Sequence, residues 1–432
     1  MKDNKMPLTI PYGCDELSIA LPNDNVCEIL GPKTENSCVD AIREIENALL
    51  EPIGSPQISG IVKPGDRVNI ICDDITRPTP VSLILPIVVT HLLRAGIAEK
   101  DIKIVMALGS HRYMTDAEMR DRVGEDIYRR FKVVNSEFKR AVDLLELGKA
   151  ADGTRILMSK TAMDSGIRIA IGNIAPHPTM GWGGGGKILF PGVAGEATVA
   201  AFHSRDGFVD ENQYGKTTTP VRDMVENWVG IVGLHFIINT ILTLTGDIYR
   251  VVAGHYVAAH RAGVAHARES LGVAIKEPAD IVIVSSYPLD SDCWQSSKAM
   301  YAAEHAAKAD GMIIHVSPNK EGVGPHSMYP IYLSMEEPVP LFEQAYRGER
   351  HVEDMLALAC AVQDWRLLRR KRVTFVSDGV SGADFPGREA AYYPSSELQN
   401  IINRCLSENP RAKVSIITHG GETVPYSAGS NI

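Results

Sequence analysis

Short runs of β-branched and apolar residues recur along this chain, each followed by a segment with helical spacing. That alternation restricts the fold more than any other feature. RVNIICDD (67–74) reads as a buried strand, and the mostly apolar stretch from Val81 to Ala95, closed by Gly96, reads as the helix after it. Thr79 is placed to cap that helix and Pro80 to start it; Pro86 predicts a kink. IKIVMALG (102–109) is the next strand, and Thr115-Asp116-Ala117-Glu118 offers a capping box for another helix. Further strands are predicted at 131–135, 167–172 and 232–238, and one long helix over 248–273. KEPAD then reads as a hinge. Beyond it ADIVIVSS, GMIIHVS, RVTFVS and KVSIIT look like four more strands, separated by helices near 296–309, 337–347, 351–371 and 395–407. The pattern predicts an α/β fold of two α/β domains with largely parallel sheets. The N-terminal domain spans 1–275 and the C-terminal domain 276–414. A tail from about 415 to 432 packs back on the first, and the active-site cleft lies between the two domains.

A length of 432 residues suits two such domains. The net charge of −9 argues against nucleic acid or a membrane surface as partner, because both are anionic. A few arginines and lysines in one cleft can still hold a small anion. Seven cysteines are scattered without a CxxC pair, the usage of a reducing compartment. With no signal-length apolar start and no run long enough to span a bilayer, the expected location is the cytoplasm.

Ligands of open α/β sheets sit at the carboxyl ends of strands, and three ionisable loops fall there. The first holds Asp73, Asp74 and Arg77; the second holds Gly109-Ser110-His111-Arg112. The third is PHPTMGWGGGGKILFPG, from Pro176 to Gly192. Its glycines, among them Gly184, Gly185 and Gly186, let backbone approach a bulky ligand ahead of Lys187. Gly181 to Lys187 also satisfies GxxxxGK, but Ile188 stands where a phosphate loop needs Ser or Thr to hold magnesium. His111, His177 and His203 accompany these loops and suit either a metal site or paired acid/base chemistry. In the second domain Gln295 and Lys298 fall at a helix start, where an anion is favoured. Cys293 reads as a bystander, and His255, His260 and His266 read as helix-surface residues.

DDITRPTP, ALGSHRYMTDAEM, PHPTMGWGGGGKILFPGVAGEATVAAFH and YPLDSDCWQSSKAM, in that order, resemble the lactate racemase family from about residue 65 to about 370. The resemblance implies a racemase or epimerase inverting C2 of a 2-hydroxy acid by reversible hydride transfer to a nickel-pincer nucleotide. That cofactor is a pyridinium-3-thioamide-5-thiocarboxylic acid mononucleotide, made and loaded by separate biosynthesis proteins. It further implies that Lys187 tethers the cofactor and His203 ligates nickel, with His111 and His177 as the acid/base pair. Asp74 and Arg77 match a supporting acid and an anion-binding arginine. Gln295 and Lys298 match residues closing over substrate, and Trp365 matches a tryptophan lining the pocket. Thr179 stands where the family prototype has cysteine, which leaves the tether to Lys187. Gly186 replaces a frequent arginine, implying extra space beside the cofactor, and Trp294 replaces a smaller aromatic. Lactate, malate, a longer aliphatic acid and a sugar acid all remain open as substrates. The competing readings are a phosphate-loop nucleotide enzyme, a catalytically silent binding relative and, more weakly, a zinc hydrolase using the three histidines.

Overall fold

The computed structural model describes residues 5–32, 37–38 and 40–427. Two six-stranded sheets dominate. The first runs, edge to edge, through Ile248–Gly254, Phe236–Leu242, Ile167–Asn173, Val68–Asp73, Ile102–Ala107 and Lys132–Asn135. All neighbours are parallel except the first pair. Its central strands are apolar almost throughout because helices cover both faces; every residue of Phe236–Leu242 is buried. The second sheet runs through Tyr392–Tyr393, Arg372–Val376, Ala307–Val316, Ala279–Ser285, Val414–Ile417 and Val26–Leu30, all parallel. No helix among the described residues is long and apolar enough to cross a membrane.

Several local expectations change. The helix Val81–Arg94 is not capped by Thr79, whose hydroxyl instead donates to Asp73 Oδ2 at 2.8 Å. The capping box of Thr115 and Glu118 is present. The stretch 248–273 is not one helix. Ile248–Gly254 is an edge strand, and the helix covers only Ala258–Leu271. A continuous apolar run carries no period by which strand and helix can be told apart.

The chain also crosses between the sheets more often than the sequence suggests. Val26–Leu30, expected in the first unit, is hydrogen-bonded to Val414–Ile417 of the second sheet. Ahead of it, the hairpin of Lys5–Tyr12 and Asp15–Pro22 places Ile10, Ile19 and Leu21 against Ile281, Ile283 and Ile314. In the tail, Val424–Ser427 pairs with Gly272–Ile275, while 428–432 lie outside the described residues.

In the first sheet the chain leaves Val68–Asp73 toward one edge and returns on its other side at Ile167–Asn173. In the second, Ala279–Ser285 is likewise flanked by Ala307–Val316 and Val414–Ile417. Such switch points leave a crevice beyond the strand ends, where neighbouring connections diverge. Loops from both crevices line one cavity.

Candidate active site

Asp74, Arg77, His111, His177, Gly184, Gly185, Lys187, His203, Gln295 and Lys298 all line that cavity. Two sequence candidates do not. A Cβ on Gly186 would lie 2.7 Å from Val229 Cγ2, so this glycine lets the loop press on the helix Pro220–Val232 and opens no space beside a cofactor. Trp365 lies outside the wall and donates from Nε1 to the Glu336 carbonyl at 3.1 Å.

Asp74 Oδ2 lies 2.7 Å from His111 Nδ1, and its Oδ1 accepts from Thr76 Oγ1 at 2.6 Å. Burial would raise this carboxyl, but the His111 hydrogen bond and the nearby Arg77 outweigh it and hold it below the usual carboxylate range. An ionised acceptor at Nδ1 keeps the proton there and leaves His111 Nε2 as the basic atom. His177 is held the other way. Its Nδ1 accepts from the Thr179 and Met180 backbone amides at 3.2 and 3.3 Å. In the neutral ring, the proton therefore sits on Nε2. Burial, then the charges of Lys187 and Lys298, push its pKa well below the ordinary histidine value.

Lys187 belongs to a short turn, Gly185–Ile188. Burial, followed by Arg77 and Lys298, drives its amine well below the ordinary lysine value, and among the described residues no carboxylate forms an ion pair with it. Burial thus favours the uncharged form of the amine, which is the nucleophilic one. The loop before it is fixed by side chains. Asn239 Oδ1 accepts from Gly185 N at 2.8 Å, and the buried Arg222 donates to the carbonyls of Met180 and Trp182. His260, read from sequence as a surface residue, is fully buried with Nε2 2.8 Å from the Gly183 carbonyl. Gly184 has φ +74°, and a Cβ there would meet Asn239 Oδ1 and Ile174 Cγ1 at 2.8 Å. Gly184→Ala is therefore expected to cost about 1–2 kcal/mol from backbone conformation alone, plus the overlap; thermal unfolding of the apo protein measures it.

His203, near the end of the helix Glu196–Asp206, has Nδ1 3.5 Å from Cys360 Sγ, and burial pushes its pKa down to about 3. It is thus neutral, as a metal ligand must be. Among the described residues no group of three His, Cys, Asp or Glu could hold a metal. That removes the three-histidine zinc site, since zinc needs at least three protein ligands. A metal at His203 needs its other ligands from an organic group. The phosphate-loop reading also weakens: Ile188 is buried, and a short turn follows the glycines where a phosphate loop has a helix.

From the second sheet, Lys298 Nζ donates to Gln295 Oε1, and Asp292 caps the turn carrying Gln295. Burial and then Arg77 push the Lys298 ammonium down to about 7. An anion bound between Arg77 and Lys298 would restore the Lys298 charge. Sequence reasoning missed Tyr301, Tyr329 and Asp364 on this wall and His326 beside Trp294. Asp364 accepts from Tyr301 Oη and from Tyr329 Oη, the latter at 2.6 Å, and the Trp294 ring lies 4.4 Å from that of His326.

The matched families agree with this geometry. The lactate racemase N-terminal domain family matches residues 12–215 and the lactate racemase C-terminal domain family matches 274–420. A lactate racemase of Thermoanaerobacterium thermosaccharolyticum is 31% identical over 340 residues, covering 77% of this chain and 79% of its own. One of Lactiplantibacillus plantarum is 28% identical over 437 aligned positions, covering 96% and 98%. The solved lactate racemase apoprotein from T. thermosaccharolyticum superposes with a TM-score of 0.84 at 26% identity, over 97% of this chain and all of that one. A Thermotoga maritima protein, at TM-score 0.66 and 16% identity over 88% of this chain, shares the fold. The chain belongs to the lactate racemase family and is an isomerase of the racemase type.

Proposed function

We propose that this protein inverts C2 of a small 2-hydroxy acid by reversible hydride transfer, using a nickel-pincer nucleotide tethered to Lys187 with nickel ligated by His203. One observation carries the reading: a lysine whose pKa burial lowers, a neutral histidine, two imidazoles whose free Nε2 atoms are oppositely protonated, and the basic residues Arg77 and Lys298 line a single cavity. The relatives named lactate racemase support the substrate class. The residues fit the group, because the chain supplies one metal ligand, an amine able to form an amide-type bond and cations suited to a phosphate or carboxylate.

Removing the C2 proton beside a carboxylate would place two negative charges on neighbouring atoms, so hydride removal is the easier route. When bound, the nucleotide supplies the hydride acceptor. The chain does the rest. Arg77 and Lys298 hold the carboxylate and so fix the plane in which C2 flattens. His111 Nε2 takes the hydroxyl proton, and Asp74 stabilises the resulting imidazolium. His177 offers its Nε2–H to the oxygen on C2. The opposite enantiomer presents its hydroxyl to His177, whose ring must first turn away from the Thr179 and Met180 amides. Proteins that make the nucleotide are the required partners, and the reduced cysteines favour the cytoplasm.

The test is chiral analysis of a panel of 2-hydroxy acids with enzyme co-expressed with the cofactor-making proteins and nickel. Racemisation by protein made without either would overturn the mechanism. A pH dependence follows as well. Lys298 carries its charge below about 7 and loses it above, so substrate affinity is expected to weaken as pH rises through 7 to 8. Lys298→Arg, which stays charged, should flatten that profile of KM against pH.

A further inference from the structure

Glu422 lines the cavity, and the mechanism does not use it. It follows Gly420 and Gly421 in the turn after Val414–Ile417, at the switch point of the second sheet. That turn cannot drift. A Cβ on Gly420 would lie 2.4 Å from Val284 Cγ2, and one on Gly421 2.9 Å from Leu289 Cγ, so the backbone is pressed onto the end of Ala279–Ser285. Gly420 N donates to the Ser285 carbonyl at 2.7 Å, and the buried Tyr214 Oη donates to the Gly420 carbonyl at 3.2 Å. The Glu422 carboxyl has neither a hydrogen-bond nor an ion-pair partner among the described residues, and burial with no offsetting contact pushes it up to about 7.

The residue is only partly buried, so its carboxyl opens onto the cavity, and a bound molecule that displaces water there has to satisfy it. A ligand cation does not suit a crevice already holding Arg77 and Lys298. A second ligand carboxylate would meet Glu422 with like charge. An alkyl chain would leave the carboxyl unpaired. Hydroxyl groups suit it.

We infer that Glu422 accepts hydrogen bonds from hydroxyl groups of the bound molecule, which makes the substrate a polyhydroxy 2-hydroxy acid and not an alkyl one. The inference rests on the racemase reading for the substrate's carboxylate and C2 hydroxyl. Neighbouring hydroxyls also occur on the ribose of a nucleotide, and the experiment separates the two sources.

Wild type, Glu422→Gln and Glu422→Leu are compared as cofactor-loaded protein. Intact mass gives the loaded fraction, calorimetry gives affinity for gluconate and for lactate, and turnover is measured on both. The expected result is equal loading, gluconate affinity lower by about 10–100-fold in Glu422→Leu, lactate affinity unchanged, and most gluconate affinity restored in Glu422→Gln, which still accepts through Oε1. Loss of loading with unchanged preference between the acids assigns the hydroxyl-acceptor role to the ribose and overturns the inference of a polyhydroxy substrate. Equal loading together with equal affinity for both acids in all three proteins overturns the inference, even if lactate is racemised. Tight, Glu422-dependent gluconate binding without turnover of any 2-hydroxy acid would instead overturn the racemase reading and leave Glu422's role standing.

Discussion

Lys187→Ala, co-expressed with nickel and the cofactor-making proteins, is expected to keep the mass of the bare chain and to show no racemisation, while the wild type gains one nucleotide's mass. The reason is positional. Lys187 lines the cavity, and burial with two neighbouring cations disfavours the charged form of its amine. Lys187→Arg should fail equally, because a guanidinium stays charged and cannot form the bond. The apo variant should still fold. Removing an amine whose folded-state pKa lies below its ordinary value of 10.5 relieves a penalty that grows as pH falls through the interval beneath that value. Urea unfolding at pH 7 and pH 9 should therefore show less loss of stability at the lower pH for Lys187→Ala than for the wild type. A full-mass, active Lys187→Ala protein would remove the tether assignment.

The second large effect concerns the imidazoles. His111→Asn and His177→Asn should each load normally by mass yet lose kcat by roughly 10²–10⁴-fold, the usual span for a positioned acid or base. The two should differ in kind. Losing His111 removes the hydrogen bond that lowers Asp74, so that variant should be less stable at neutral pH and lose less further stability than the wild type as pH falls through the carboxylate range. Losing His177 removes a ring that resists protonation in the folded state, so that variant should lose less stability than the wild type as pH falls below the ordinary histidine value of 6.5. Unimpaired turnover in either variant would exclude that ring from the chemistry.

The strand-end loops were legible because polar residues there interrupt otherwise apolar runs, and apolar side chains explain nothing at such places. The four ordered motifs then gave nearly the whole first wall of the site. What escaped depends on contacts remote in sequence. Glu422 reaches the cavity from a tail turn whose letters, HGGE, carry no distinguishing pattern. His260 lies in a helix with apolar residues on several faces, and nothing local told which face would meet the glycine loop. Trp365 shows how sharp the helical constraint is. Cys360, Gln363 and Asp364 share the cavity-facing side of Met355–Arg370, and the next residue points about 100° away from Asp364. Gly186 was read as making room, whereas the neighbouring helix occupies that room.

The strand Val26–Leu30 sews the start of the chain into the far sheet, and Val424–Ser427 is stitched to Gly272–Ile275 just where the chain sets out for that sheet. Because Val26–Leu30 travels with the far sheet, any swing between the sheets has to bend the chain at each of these crossings together, and cutting the gene near residue 275 should yield two fragments that dissolve only when made together.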